Sequence, residues 1–283
     1  MLLPEVEYAR PATVDEAVSL LATYEGARPL AGGQTIVNVM KARAGAPDVL
    51  VDLADLADLR SIGFSSEGML EIGAMVTYAQ LIGSSEVEVA RPILAEVAAT
   101  IGDVQVRNRG TVGGNVCVSD PTNHLPPLFA ALGATFTIRG QNGERTVSSE
   151  EFFVGVYMTA VGEGELLTKV NVPPSSGAGD GFSGLTVGRH GTYVVNAAAT
   201  VSGGDVRIAV GCVSATPVRA TQMEETLAGG DFSEESVRAA AEGLGASLDP
   251  PSDVHGSADF RRHLAEVSAL RAVLQAAGRR KGA

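Results

Sequence analysis

Apolar positions recur at helical spacing after Thr13: Ala17, Leu20, Leu21 and Tyr24 share one side, Thr13 and Glu16 have capping-box spacing, and Gly26 follows as a stop. The run ARPLAGG (27–33) reads as a short strand entering a glycine turn, with a helix opening in TIVNVMKARAG. DVLVDLADL is strand-like, MLEIGAMVTYAQLI is a strand leading into a turn or helix start, and RPILAEVAATIGD is a helix with Pro92 near its start and Gly102 near its end. ATFTIRGQNGERTVSSEEFF alternates around Asn142-Gly143, a hairpin signal. The Pro-, Gly- and Ser-rich VNVPPSSGAGDGFSG then reads as a linker, which puts a domain boundary near residue 178. Beyond it, YVVNAAATVSG and VRIAVGCVS flank Gly203-Gly204-Asp205 as a second hairpin. Two helical stretches complete the chain, the last running from Ser257 through Phe260, Leu264, Val267, Leu270 and Leu274 to Gly278. The pattern predicts an α+β protein with a larger N-terminal part and a smaller part of sheet plus helices.

Composition narrows the functions. The 283 residues carry 33 acidic and 21 basic side chains, a net charge of −12, which disfavours nucleic acid as a partner. The basic GRRKGA end reads as a solvated tail. The apolar fraction of 45% suits a folded globular chain. Two cysteines, Cys117 and Cys212, support neither a disulfide framework nor an iron–sulfur cluster or zinc site made from this chain's own thiolates. No apolar run has the length of a membrane span, and the start MLLPEVEYARP lacks a signal-peptide pattern, so a cytoplasmic protein is expected.

Two glycine pairs carry the candidate chemistry. Gly32-Gly33 lies between strand and helix, so the N–H groups of Gly33, Gln34 and Thr35 would sit at a helix start, where an anion such as a pyrophosphate is favoured. Thr111 and Gly113-Gly114-Asn115 make a second place of the same kind. Neither pair matches the GxGxxG or GxxxxGK[ST] pattern; each alone could be a plain tight turn, whereas together they suggest loops facing one phosphate-bearing ligand. Arg107 and Arg109 could neutralise that ligand, or hold a helix end or a carboxylate such as Asp103. Asp120 could accept from sugar hydroxyls or form an Asx turn. The histidines His124, His190, His255 and His263 are scattered, with no metal-ligand spacing, and Cys117 reads as a buried inert thiol. Phosphate-cradling loops without an acid–base constellation imply that a cofactor carries the chemistry.

AGGQTIVNVMKAR and IGDVQVRNRGTVGGNVCVSDP, with GCVSATPVRATQMEETLAG and GSADFRRHLAEV nearer the end, resemble the FAD-binding medium subunit of molybdenum hydroxylases, of the aerobic carbon monoxide dehydrogenase and xanthine dehydrogenase family. The resemblance spans essentially the whole chain. It implies an α+β fold: a flavin domain of the vanillyl-alcohol oxidase / p-cresol methylhydroxylase type over 1–177, in two α/β subdomains split near residue 55, and a smaller C-terminal antiparallel sheet-plus-helices domain over 178–283. It implies non-covalent FAD, its pyrophosphate held by Leu30, Ala31, Gly32, Gly33, Gln34 and Thr35 and by Gly110, Thr111, Gly113, Gly114 and Asn115, with Asp120 among the further cofactor contacts. Tyr193, in GRHGTYVVNAAA, matches the aromatic residue beside the isoalloxazine ring, and Leu166 and Leu167 match an apolar pair near it. His124 stands where the family commonly has an Asp that holds the flavin's sugar-alcohol chain, and Thr192 stands where an Asp usually precedes the ring-side aromatic.

The implied role is electron transfer. Electrons leave substrate at a molybdenum cofactor on a large subunit, cross [2Fe–2S] clusters on a small subunit, reach FAD here and pass to an external acceptor. A dimer of heterotrimers is the implied assembly. A stand-alone FAD oxidoreductase, or a flavin-free assembly subunit, remains open on sequence alone.

Overall fold

The computed structural model describes residues 3–188 and 192–280; His190 lies outside them. Each of three successive segments builds its own sheet and core.

The first segment runs β1 (Glu7–Ala9), α1 (Val14–Thr23), β2 (Ala27–Leu30), α2 (Ile36–Lys41) and β3 (Val49–Asp52), with the strands in parallel order β1-β3-β2. Thr13 caps α1 by accepting from Glu16 N–H at 3.1 Å. The Glu16 carboxylate reaches Ala12 N–H at 2.8 Å, one residue before the partner that a capping box uses. Ala17, Val18 and Leu21 of α1 pack on Val49 and Val51.

The second segment adds β4 (Ile62–Phe64), β5 (Leu70–Gly73), α3 (Tyr78–Ile82), α4 (Ser85–Ala90), α5 (Pro92–Thr100), α6 (Val104–Arg109), α7 (Val112–Val118), α8 (Leu125–Leu132), β6 (Thr135–Gly140), β7 (Gly143–Ser148), α9 (Ser149–Phe152), β8 (Phe153–Gly155), β9 (Met158–Thr159) and β10 (Leu166–Val172). The sheet is antiparallel along β4-β5-β10-β6-β7, and Asn142-Gly143 turns the β6–β7 hairpin as expected. Its core includes Phe136 stacked on Phe152, ring centroids 4.0 Å apart.

The third segment contains β11 (Gly179–Thr186), β12 (Tyr193–Ser202), β13 (Asp205–Gly211), β14 (Val218–Arg219), α10 (Thr221–Leu227), α11 (Glu234–Ala241) and α12 (Ala258–Gly278), with the strands paired in that order, antiparallel. β12 is buried on both faces, which explains its largely apolar sequence, interrupted by buried Asn196 and Thr200. Ala197 and Ala199 join the core under α12, while Ala198 joins the second-segment core that includes α8.

Two expectations need correction here. The glycine-rich stretch is not all linker: from Gly179 it is strand β11. A Cβ on Gly179 would lie 2.0 Å from Ala276 O, and one on Gly181 2.0 Å from Ala272 O, so these glycines let the α12 backbone lie directly on the strand. And among the described residues three α-helices, not two, follow β14.

The second and third segments are tied by buried charge. Arg91 and Asp180, 4% and 6% exposed, pair at 2.8 Å. Arg91 also donates to the carbonyls of Pro173 (3.0 Å) and Pro174 (3.1 Å), and Thr200 Oγ1 donates to Asp180 at 2.7 Å. Each charge is thus hydrogen-bonded as well as paired, the condition under which a buried ion pair is tolerated.

Candidate functional site

The first glycine loop leaves β2 at Leu30 and ends where Thr35 opens α2. Gly33 has φ +73°, a conformation that glycine adopts without strain. Gln34 Nε2 donates to Gly32 O at 3.3 Å and Asn38 Nδ2 to Gln34 O at 2.7 Å, which fixes the loop from its own carbonyls. Among the described residues, the amides of Gly32, Gly33, Gln34 and Thr35 find no protein acceptor. Gly32, Gly33 and Gln34 border a cleft of about 330 Å³ that Leu30, Ala31, Lys41, Asp52 and Arg109 also line. Lys41 and Arg109 are exposed and form no salt bridge among the described residues. Asp52 is engaged already, by the Tyr8 hydroxyl and by Ala54 N–H at 2.9 Å.

The second glycine pair departs from the loop that its sequence predicts: Gly113 and Gly114 lie in the first turn of α7. Thr111 caps that helix, accepting from Gly114 N–H at 3.0 Å. Val112 N–H donates to Val76 O at 2.9 Å and Gly113 N–H to Ala74 O at 2.8 Å. These amides are consumed by the connection after β5 and offer nothing to an anion. Gly113 is required by packing, since its Cβ would lie 2.6 Å from both Ala74 Cβ and Ala74 O.

The two motifs nevertheless touch. A Cβ on Gly32 would sit 2.0 Å from Arg109 O, and one on Gly114 3.6 Å from Ala31 Cβ. Under α7, buried Tyr78 receives a hydrogen bond from Asn115 Nδ2 at 3.0 Å, and burial pushes its hydroxyl up to about 12. Asn115 is 7% exposed and its Oδ1 has no partner among the described residues. Arg107 donates to Gly102 O at 2.8 Å and so holds the end of α5, while Asp103 caps α6 through Val106 N–H at 2.8 Å.

Past α7, Asp120 Oδ1 accepts from Thr122 N–H (2.9 Å) and Oγ1 (2.7 Å), an Asx turn, and Oδ2 accepts from the Tyr157 hydroxyl at 3.2 Å. Asn123 Nδ2 donates to Asn115 O at 3.0 Å. His124 is 8% exposed, and burial lowers its pKa to about 4, so the imidazole is neutral near pH 7. Its ring meets Tyr193 edge-on, centroids 4.6 Å apart. Tyr193 fits there because Gly184 opposite lacks a Cβ, which would lie 2.7 Å from the tyrosine ring. Contacts therefore run unbroken from Gly32 through α7 and the Asp120–His124 loop to Tyr193. Leu166 and Leu167 are both buried, Leu166 in the first-segment core and Leu167 in the second. Cys117 packs against the second-segment core, where burial pushes its thiol up to about 12.

Among the described residues, no group of His, Cys, Asp and Glu could hold a metal ion, and no helix is long and apolar enough to cross a membrane. Residues 4–175 match the family model described as the FAD binding domain in molybdopterin dehydrogenase. The chain belongs to this family. It is a flavoprotein medium subunit of molybdenum hydroxylases, and its cofactor is FAD. Residues 192–276 of the subunit match the carbon monoxide dehydrogenase flavoprotein C-terminal domain. It is 37% identical to the carbon monoxide dehydrogenase medium chain of Afipia carboxidovorans, over 99% of this chain and 100% of that one. It is 34% identical to the nicotine 6-hydroxylase medium subunit of Paenarthrobacter nicotinovorans, over 99% and 100%. It superposes with TM-score 0.95 and 37% identity on a carbon monoxide dehydrogenase from Hydrogenophaga pseudoflava that lacks the Mo-pyranopterin moiety of its cofactor, covering 99% of this chain and 100% of that one.

The residues fit the cofactor's diphosphate: Gly32, Gly33 and Gln34, whose amides have no acceptor among the described residues, meet Lys41 and Arg109, without salt bridges among them, at one cleft of an otherwise acidic chain. Sequence reasoning missed Lys41 and Tyr78. Lys41 had a local signal, as the only lysine of the helix after the glycine pair; Tyr78 had none, because its partner Asn115 is 37 positions away.

Proposed function

We propose that the Leu30–Thr35 loop holds the FAD diphosphate and that the flavin extends along Gly114, Asn115 and the Asp120–His124 loop towards Tyr193. The carrying observation is that Gly32, Gly33 and Gln34, with open amides, line one cleft with Lys41 and Arg109. Bound there, FAD supplies the electron-accepting and electron-donating chemistry of the subunit. The amides and the two cations neutralise the diphosphate. Gly114, with no side chain beside Ala31, leaves room where the two motifs meet. His124 offers a neutral hydrogen-bonding ring where the sequence resemblance leads one to expect a carboxylate, and Tyr193 closes the far end.

The subunit would work with a molybdenum-cofactor large subunit and a [2Fe–2S] small subunit, as a dimer of heterotrimers, and pass electrons to an external acceptor. The relatives' names, medium chain and medium subunit, support partnership with large and small subunits. The cytoplasm is the proposed compartment, and the unpaired Cys117 and Cys212 suit reducing surroundings. Native purification tests the whole reading. We expect a yellow protein that releases about one FAD per chain on denaturation and co-elutes with molybdenum and iron. A colourless chain that takes up no added FAD would overturn it.

A further inference from the structure

The Asp120–His124 loop joins α7 to α8, and a large part of its fixation comes from the C-terminal domain. Cys212 N–H donates to Pro121 O at 3.1 Å. Asn196 Nδ2 donates to Asn123 O at 3.4 Å and lies 3.6 Å from Cys212 Sγ. Tyr193 packs edge-on against His124. All three residues belong to one hairpin, β12–β13, or to its exit.

Asn196 is the informative member. It is fully buried at 0% exposure, among Val194, Val195, Ala197 and Ala198. Its Oδ1 has no partner among the described residues, and an unpaired buried acceptor is costly, so Val or Ala would suit the strand better. The surroundings are shaped around it. A Cβ on Gly211 would lie 2.4 Å from Asn196 Oδ1, and Cys212 holds φ +68°, left-handed backbone that a side chain resists. What Asn196 reaches from there is the carbonyl one residue before His124.

We propose that Asn196 is a positioning residue: from the C-terminal domain it fixes the Asp120–His124 loop, and through it the His124 ring, in the orientation that receives the flavin. This rests on the FAD site proposed above. The test uses the full chain with Asn196→Ala, the apolar Asn196→Val, and Glu150→Gln as a control. Glu150 pairs with Arg207 (2.8 Å) and Arg219 (2.9 Å) across the same two domains but away from the loop. FAD titration, visible circular dichroism of the bound flavin, and the His124 ring resonances of the FAD-free protein are read together. Both Asn196 variants should raise the FAD dissociation constant about tenfold, alter the flavin dichroism and move the His124 resonances. Glu150→Gln should do none of these. Asn196→Val folded with wild-type FAD affinity and wild-type His124 resonances overturns the proposal, and so does Glu150→Gln shifting them equally. If the wild-type chain binds no FAD, the site reading fails, while the His124 resonances still decide whether Asn196 positions the loop.

Discussion

Gly32-Gly33 and Gly113-Gly114 are alike as text, each beside a Thr and an amide side chain, yet the fold uses their backbones differently. At the first, the amides are left open on a cleft with Lys41 and Arg109 at its rim. At the second, the amides are spent on Thr111, Val76 and Ala74, and the missing side chains let α7 lie against the connection after β5. The first motif is built to meet a ligand and the second to meet the protein. Adjacent glycines therefore report close backbone approach, but not what approaches.

The strongest way to break this contrast is to add the same methyl group to each motif. In Gly32→Ala the Cβ would fall 2.0 Å from Arg109 O, so the loop must move off α6 and the amides must turn away from the cleft. We expect FAD affinity to drop about 100-fold or more, with stability lowered by about 3 kcal/mol. Gly113→Ala meets Ala74 at 2.6 Å and should lose comparable stability. Its folded fraction should still bind FAD within a few-fold of wild type. Equal loss of FAD affinity in the folded fractions of both variants would erase the distinction. Isothermal titration alongside thermal unfolding separates the two quantities.

Acid is the next lever, through the buried ring of His124. His124 is held neutral, its pKa lowered by burial from an ordinary 6.5 to about 4. The unfolded chain takes up a proton on this residue below about pH 6.5 and the folded chain does so only near 4. The unfolded state therefore binds more protons in that window, and stability falls as pH drops through it. The full shift corresponds to about 3 kcal/mol. His124→Gln should flatten the loss of melting temperature between pH 6.5 and 4.5. A variant that loses as much as wild type would show that other groups govern acid sensitivity.

Much of this was legible beforehand, and the failures share a cause. Thr13, Asn142-Gly143 and the β12–β13 hairpin were readable because their signals lie within a few residues of what they specify. The paired glycine motifs were readable as long matched strings. The helix through Gly113 and Gly114 was not, since glycine is a poor helix former and only Ala74, some forty positions away, explains it. Strand β11 was hidden in the same way: its glycines looked like linker because the helix they accommodate, α12, comes about ninety residues later. Glu16 bonded one residue earlier than the capping pattern predicts, a choice that depends on the local chain path. Sequence recorded that a side chain was absent; tertiary contact recorded why.

The smallest expected effect isolates charge at the open motif. Lys41 is exposed, at the cleft rim and without a salt-bridge partner among the described residues, so replacing it should leave folding within about 0.5 kcal/mol of wild type. Its attraction for a diphosphate acts through solvent and is screened as salt rises. Lys41→Gln should therefore weaken FAD binding about fivefold at low ionic strength, and the two affinities should converge towards 1 M salt, where the screening length shrinks to about 3 Å. An affinity difference that persists undiminished at high salt would mean that Lys41 contributes by packing or direct hydrogen bonding rather than by its field. No difference at any salt would leave the open amides, with Arg109, as the whole of the grip.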